Sequence, residues 1–515
     1  MRIEDLASND SFGDYDDVDV CVVGSGVIGS YVASQLVKRK IKVLLVEAGE
    51  SNESADIKAC FEPICVRDMY GGAKQGRSFG LGGTSVKWGG VLSPHCSYDL
   101  SNSSESSQPA WENILETVEH HAESVLDDLG WSRPMDFDGF AKQKLHSDNE
   151  KYYEAGFHST STLTLPFKKK NFFRTLCHGT DSNYFRVIKN AVVTGWGVTS
   201  GVEDFRCESL VLESMSGRKI TVRARRVVIA SGALESARAV MQLNELTNQQ
   251  NQFSFYLSDH LSLSIATVKP SAIPRITRMF SPYFVSGWMR TLRLREKDRP
   301  SNAPRAFLHF VFHSDSAAFR LARGLAGAVQ ARSLASVPWA LVLPGSAGLL
   351  AYAFYRFALN RLYIPSDCRV CLQLDIEQAL PTENRLRLSE ELDQFGRRKL
   401  SIDWGVHQED LAAINATAER VFNKFNSSYM WSRELEWCGS KLDIDQIYDA
   451  YHPTATCISG DHAKNPVASD MRVKGLENVW TVSTGNLPNA GSTNPTFTAL
   501  CLAKKLTVDL SSGKH

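Results

Sequence analysis

"VDVCVVGSGVIGSYVASQLVKRKIKVLLVEAGE", residues 18–50, decides the fold. It begins with an apolar run, passes through a glycine turn into an amphipathic stretch, and ends in a second apolar run closed by Glu47. Strands that apolar are buried on both faces, as in a parallel sheet with crossover helices. The turn reads Gly24-Ser-Gly26-Val-Ile-Gly29. Gly24 permits the tight turn, Gly26 leaves bare backbone for a pyrophosphate, and Gly29 lets helix and strand approach closely. Helix-start amides favour the anion, and Glu47 stands where a carboxylate accepts bonds from a ribose diol. Strand, triplet, helix, strand and acid fall in order, so the segment is read as a dinucleotide-binding unit. The acid argues against a 2′-phosphate.

Working outward, 515 residues exceed one ordinary core and predict two domains. Hydrophobic residues make up 43% and charged residues 22%, the composition of a globular chain. Lys+Arg and Asp+Glu are both 57. With no net field to attract a polyanion, nucleic acid is excluded as a first reading and a small molecule is preferred. The polar start "MRIEDLASND" shows no secretory signal, and the eleven cysteines lack framework spacing. Both suit a reducing, cytoplasmic setting with free thiols. Cys368 and Cys371 have redox-motif spacing but sit in strand-like alternation, which sends their side chains to opposite faces. The stretch Ser333–Tyr355 carries no charge. Prolines and glycines interrupt it, and a single crossing would separate two ends that the fold brings together. It is therefore read as a buried or lid-forming helical pair rather than a membrane contact.

Further along, "RSFGLGGTSVKWGG" (77–90) is too long for a hairpin turn. Its glycines beside Trp88 suggest backbone pressed against a flat ligand. The run Lys168–Lys170 reads as a solvated face. "RRVVIASGALESAR" supplies another strand that runs through Ser231-Gly232-Ala233 into a helix. From about 255 to 450 the alternation implies an antiparallel sheet covered on one face. The closing segment, a buried strand, a Gly/Pro/Asn loop and a long helix, reads as a return to the dinucleotide unit. Just before it, "YHPTATCISG" (451–460) offers His452, whose imidazole suits proton transfer near neutrality.

Five blocks in fixed order resemble the glucose–methanol–choline (GMC) flavoprotein oxidoreductases. They are "VVGSGVIGSYVA…VEAGE", "GLGGTSVKWGG", "VVIASGALESAR", "YHPTATCISGD" and "RVKGLENVWTVSTGNLPNAGSTNPTFTALCLA". The spellings "GGTSVKW" and "NPTFTALCLA" are nearer the pyranose-oxidase-like branch and bacterial sugar and aminoglycoside dehydrogenases. The resemblance implies an α/β fold: a discontinuous Rossmann-type FAD-binding domain (15–95, 185–254 and 452–515) and a substrate domain built on an antiparallel sheet covered by helices (96–184 and 255–451). A helical lid is expected near 315–362. It also implies that Gly24, Gly26 and Gly29 hold the pyrophosphate, Glu47 the ribose, and Val193 the adenine through its backbone. Gly83, Thr84 and Trp88 would line the flavin, Gly485 and Asn486 the ribityl region, and Pro495 and Thr496 the pyrimidine end. His452 and Asn494 would face the flavin N5, as general base and as donor to the developing alkoxide.

Three departures from the family pattern shape the expectation. Lys87 stands where pyranose oxidases carry a histidine bonded covalently to flavin, so FAD is expected to be non-covalent. Ala455 replaces the glycine of the usual "HPxGT", and Ile458 and Ser459 replace a common "RMG". His95, His260 and His313 are assigned no chemistry, and no metal is expected. The sequence thus predicts oxidation of an alcohol, a sugar, glycoside or cyclitol hydroxyl, with oxygen or a quinone reoxidising the cofactor. The competing readings are a flavin-scaffolded lyase of the cyanohydrin type and a light-driven or structural flavin protein.

Overall fold

The computed structural model describes residues 2–513 except 9–14, 52, 68–69, 101–107, 147–155, 182, 250, 332–333, 335–336, 366, 381–382, 428–433 and 439–443. The apolar runs of the opening segment become strands Tyr15–Val23 and Val43–Val46, paired in parallel through Val20↔Val43 and Val22↔Leu45. All four residues of Val43–Val46 are buried, which explains why that run is continuous rather than alternating. On one side the sheet continues in parallel to Phe185–Lys189 and Arg2–Asp5. On the other, Lys219–Ile229 pairs in parallel with both Tyr15–Val23 and the late strand Val479–Thr481. Phe205–Glu213 and Val192–Ser200 extend this edge antiparallel. The sheet is therefore assembled from segments nearly the full length of the chain apart.

The Val27–Lys38 helix crosses between the first two strands. Gly24 takes φ +100°, and a Cβ on Gly29 would lie 1.8 Å from the Gly24 carbonyl oxygen, so both positions require glycine. This helix packs beside the C-terminal helix Thr496–Ser512, which in turn packs on Gln108–Asp128. Asp128 joins the three, accepting from the Tyr31 hydroxyl at 2.8 Å and from Lys504 at 2.7 Å.

A second, nine-stranded sheet is antiparallel throughout. Its centre runs through His260–Val268, Arg369–Glu377, Ala306–His313, Trp288–Glu296 and Phe157–Thr164. A small third sheet joins Arg385–Leu392 and Arg398–Asp403 to Ile64–Cys65. All eleven cysteines are free.

Two sequence expectations need correction. Lys170 is buried, its ammonium 4.3 Å from the Phe167 ring centre, so the Lys168–Lys170 run is not wholly a solvated face. The uncharged block forms one α-helix, Val342–Ala358, which pairs with the preceding Ala317–Ala331, and it is not buried. In the second helix only Gly345 is buried, because contact with its neighbour is confined to the side carrying the glycines.

Candidate active site

A cavity of about 540 Å³ runs along the carboxyl edge of the parallel sheet, within the size range of cofactor pockets. Gly24, Gly26, Glu47, Gly83, Thr84, Trp88 and Val193 line it together with His452, Asn494, Pro495 and Thr496. Gly29, Gly485 and Asn486 do not. Gly29 is pressed on the Gly24 carbonyl, and a Cβ on Gly485 would lie 2.1 Å from Thr456 Oγ1. Asn486 spends its amide on backbone: its Oδ1 accepts from Ser483 N at 2.8 Å and its Nδ2 donates to the Cys457 carbonyl at 3.1 Å. These residues shape the turn that presents Ser483 and Thr484, which do line the cavity.

The walls suit a dinucleotide. The Val27–Lys38 helix starts at Gly26 with no side-chain cap and no acid in its first turn. A Cβ on Gly26 would meet nothing within 4 Å. Unsatisfied amides thus open onto the cavity, which is what a pyrophosphate requires. Glu47 is held by Ser25, whose N and Oγ donate to its Oε2 at 3.0 and 2.7 Å, and by Gly49 N, which donates to Oε1 at 3.1 Å. Burial raises its pKa despite these bonds. Beside it, the Val193 carbonyl accepts from Arg397 Nη1 at 3.0 Å, a cavity-lining arginine that sequence reading passed over.

His452 reaches the opposite end through a local pairing. Thr454 bridges to Ser258, with Thr454 N donating to the Ser258 carbonyl at 2.9 Å. This sets Tyr451-His452 against Asp259-His260. The Asp259 carboxylate accepts from the His452 N–H at 2.8 and 2.9 Å, from the His260 N–H at 2.6 Å, and from the Tyr70 hydroxyl. Burial, followed by nearby Asp449, pushes the Asp259 pKa well up. Ala455 holds φ +64°, so the backbone keeps the left-handed turn that glycine usually serves.

The side-chain hydrogen bonds then fix every proton. Arg293 Nη2 donates to Asn494 Oδ1 at 2.6 Å, which turns Nδ2 toward His452 Nε2, 2.8 Å away. Nε2 is therefore the acceptor, and Nδ1 carries the hydrogen. That hydrogen is donated to His260 Nδ1 at 3.0 Å, and His260 Nε2 donates onward to the Gly491 carbonyl at 2.9 Å. A guanidinium at one end and a carbonyl at the other permit only this ordering. Burial, then His260 and Arg293, lower the His452 pKa to about 3, and burial lowers that of His260 to about 4. Both rings are neutral at neutral pH. The ligand atoms of Asp259, His260 and His452 cluster within 4.8 Å, but these bonds already engage each of them.

His260 and Arg293 lie on strands remote in sequence and carry no local motif, so sequence reading had no signal for them. His95 is buried between Thr498 Oγ1 (2.7 Å) and the Ala490 carbonyl (3.0 Å). Lys87 lines the cavity with its ammonium donating to the Arg77 carbonyl at 2.5 Å.

The cavity thus has a glycine turn and Glu47 among its lining and an ordered histidine–asparagine pair on its wall. Residues 381–503 match the family model for GMC oxidoreductase. None of the curated proteins matches the chain in sequence. Among solved structures the chain is similar to pyridoxine 4-oxidase from Mesorbium loti, with a TM-score of 0.55, 14% identity, and 97% of this chain and 100% of that one covered. It is also similar to formate oxidase from Aspergillus oryzae RIB40, with a TM-score of 0.55, 12% identity, and coverage of 98% and 99%. The family model thus covers the C-terminal part of the chain, and the likeness of fold to these two oxidases extends over nearly all of it.

Proposed function

We propose that the protein oxidises an alcohol, a hydroxyl of a sugar, glycoside or cyclitol, to the carbonyl, with His452 as general base. The observation that carries this reading is the contact of Asn494 Nδ2 with the unprotonated Nε2 of His452 on the cavity wall. When bound, FAD supplies the two-electron acceptor for the hydride. A hydroxyl entering between the two side chains replaces one bond with two: the amide N–H turns to the alcohol oxygen, and the O–H turns to Nε2. The proton moves to Nε2, and the amide steadies the charge left on oxygen without competing for that proton. An imidazole whose pKa is near 3 cannot strip an alcohol beforehand. Proton transfer therefore accompanies C–H cleavage. Gly26 and the helix-start amides would hold the pyrophosphate, Glu47 the ribose, and Thr84 and Trp88 the flavin. Lys87 offers no imidazole for a covalent link, so FAD is held non-covalently. Oxygen or a quinone closes the cycle.

Anaerobic mixing of the FAD-loaded enzyme with a panel of sugars, cyclitols and simpler alcohols tests the reading. Bleaching of the flavin by a polyol supports it. Cleavage of a cyanohydrin with the flavin left oxidised would establish the lyase alternative instead.

A further inference from the structure

The Ala317–Ala331 and Val342–Ala358 helices form a hairpin whose inner contact is close. A Cβ on Gly345 would come within 3.0 Å of both the Ala317 carbonyl oxygen and Leu321 Cδ2, and one on Gly348 within 2.3 Å of Ala318 Cβ. The glycine side is consumed by the neighbouring helix, and the opposite side faces outward. Leu343 is 88% exposed, Leu350 74%, Phe354 58% and Phe357 81%. Their spacing of seven, four and three residues places them on one helix face. Trp339, one turn earlier, extends that face and is 64% exposed. Ser346 is its polar member, and its hydroxyl donates to the Leu343 carbonyl at 2.9 Å. Among the described residues no charged side chain interrupts this face. The stretch Trp339–Ala358 is also long and apolar enough to cross a membrane, yet almost none of it is buried.

We propose that this hairpin seats the enzyme on an anionic lipid surface, lying in the interface plane. Charge selects the occupant. From Ser316 to Ser366 the sequence has Arg320, Arg323, Arg332, Arg356 and Arg361 and no acid, in a chain of zero net charge. Arg356 lies 3.8 Å over the Phe284 ring at the flank of the apolar face. A second copy docking by two-fold symmetry would bring two net-positive segments together, whereas anionic headgroups complement them. Trp339 at one end and Phe354, Tyr355 and Phe357 at the other suit the headgroup boundary. Spanning is excluded by the return of the chain: Leu362 N donates to the Pro282 carbonyl at 2.9 Å, and Arg361 Nε donates to Ser281 Oγ at 3.1 Å. The apolar face therefore enters to a depth of about 5–10 Å, as in monotopic helices. The same hairpin touches the cavity wall, because Gln330 Nε2 donates to the Ser85 and Trp88 carbonyls at 3.3 and 3.1 Å.

Co-sedimentation of the full-length FAD-loaded protein with vesicles tests this. Vesicles of phosphatidylcholine containing phosphatidylglycerol should pellet it, and phosphatidylcholine alone should pellet less. Leu350→Asp and Phe357→Asp, checked for retained flavin and melting temperature, should each weaken partitioning about tenfold or more. Val202→Ser, which alters an exposed apolar residue outside the hairpin, should change nothing. Added salt should erase the anionic preference of the unmodified protein. Wild-type protein left in the supernatant with both vesicle types overturns the proposal. So does a dimer in sedimentation velocity that Leu350→Asp dissolves, which would make a second copy the occupant.

Discussion

His452, the proposed base, is weakened by its surroundings and oriented by its hydrogen bonds to Asn494 and His260. Its ring is partly open to the cavity and otherwise enclosed, and burial lowers its pKa to about 3. The base form is thus present across the neutral range. Accordingly kcat/KM should stay level from alkaline pH down to about pH 5 and fall only in stronger acid. A break near the ordinary histidine value of about 6.5 would contradict the burial argument. Folding linkage carries the same sign. A histidine neutral in the fold but protonated at about 6.5 when unfolded contributes fully above that value, and the contribution shrinks as pH falls toward 3. Lowering pH from about 7 to about 5 should therefore reduce the melting temperature of the wild type more than that of His452→Gln. Arg293 acts through Asn494 rather than on substrate. Arg293→Met frees the amide to flip, and kcat should fall about tenfold or more with KM little changed. Arg293→Lys should restore part of the loss. Equal kcat in both variants would remove the positioning role.

At the scale of elements, the crossing from Tyr15–Val23 into the Val27–Lys38 helix is the least forgiving piece. Gly29→Ala drives a methyl into the Gly24 carbonyl, and the obstacle is backbone rather than a movable side-chain end. We expect a loss of about 3 kcal/mol or more in stability, together with loss of flavin, read by urea unfolding and absorbance. Ala455→Gly, where φ is already +64°, should change stability by no more than about 1 kcal/mol. These elements were legible because their signals are local: glycines at fixed offsets, a run of buried valines, an acid at a strand end. The hydrogen-bonded chain from Arg293 to His260 was not. Arg293 and His260 meet Asn494 and His452 only through strand register in the second sheet, and register is set by partners far away in the chain. Glycines gave a mixed lesson. Gly29 and Gly485 look alike in a motif, yet one serves helix packing and the other the Thr456 contact, and neither lines the cavity. The uncharged stretch, expected to be buried or lid-forming, proved exposed rather than buried for a related reason. Apolarity shows that a face avoids water, but not whether protein or something else covers it.

The whole molecule brings four distant stretches to one cavity: the glycine turn near residue 24, the loop ending at Trp88, the segment carrying His452 and the segment carrying Asn494. Arg397, in the turn between Arg385–Leu392 and Arg398–Asp403, bonds the Val193 carbonyl and lines the same cavity. Lys87 holds its ammonium on the Arg77 carbonyl and offers no imidazole, which supports the proposal that FAD is bound non-covalently. Acid precipitation should leave the yellow colour in solution and the protein pellet white. A yellow pellet would indicate a covalent link. The most direct test of the central claim is the anaerobic rate of flavin reduction by an alcohol substrate, measured in the wild type and in His452→Ala with FAD bound to both. We predict rapid bleaching of the wild type and a rate lower by about a hundredfold or more in the variant. Bleaching of the variant at the wild-type rate would show that His452 is not the base.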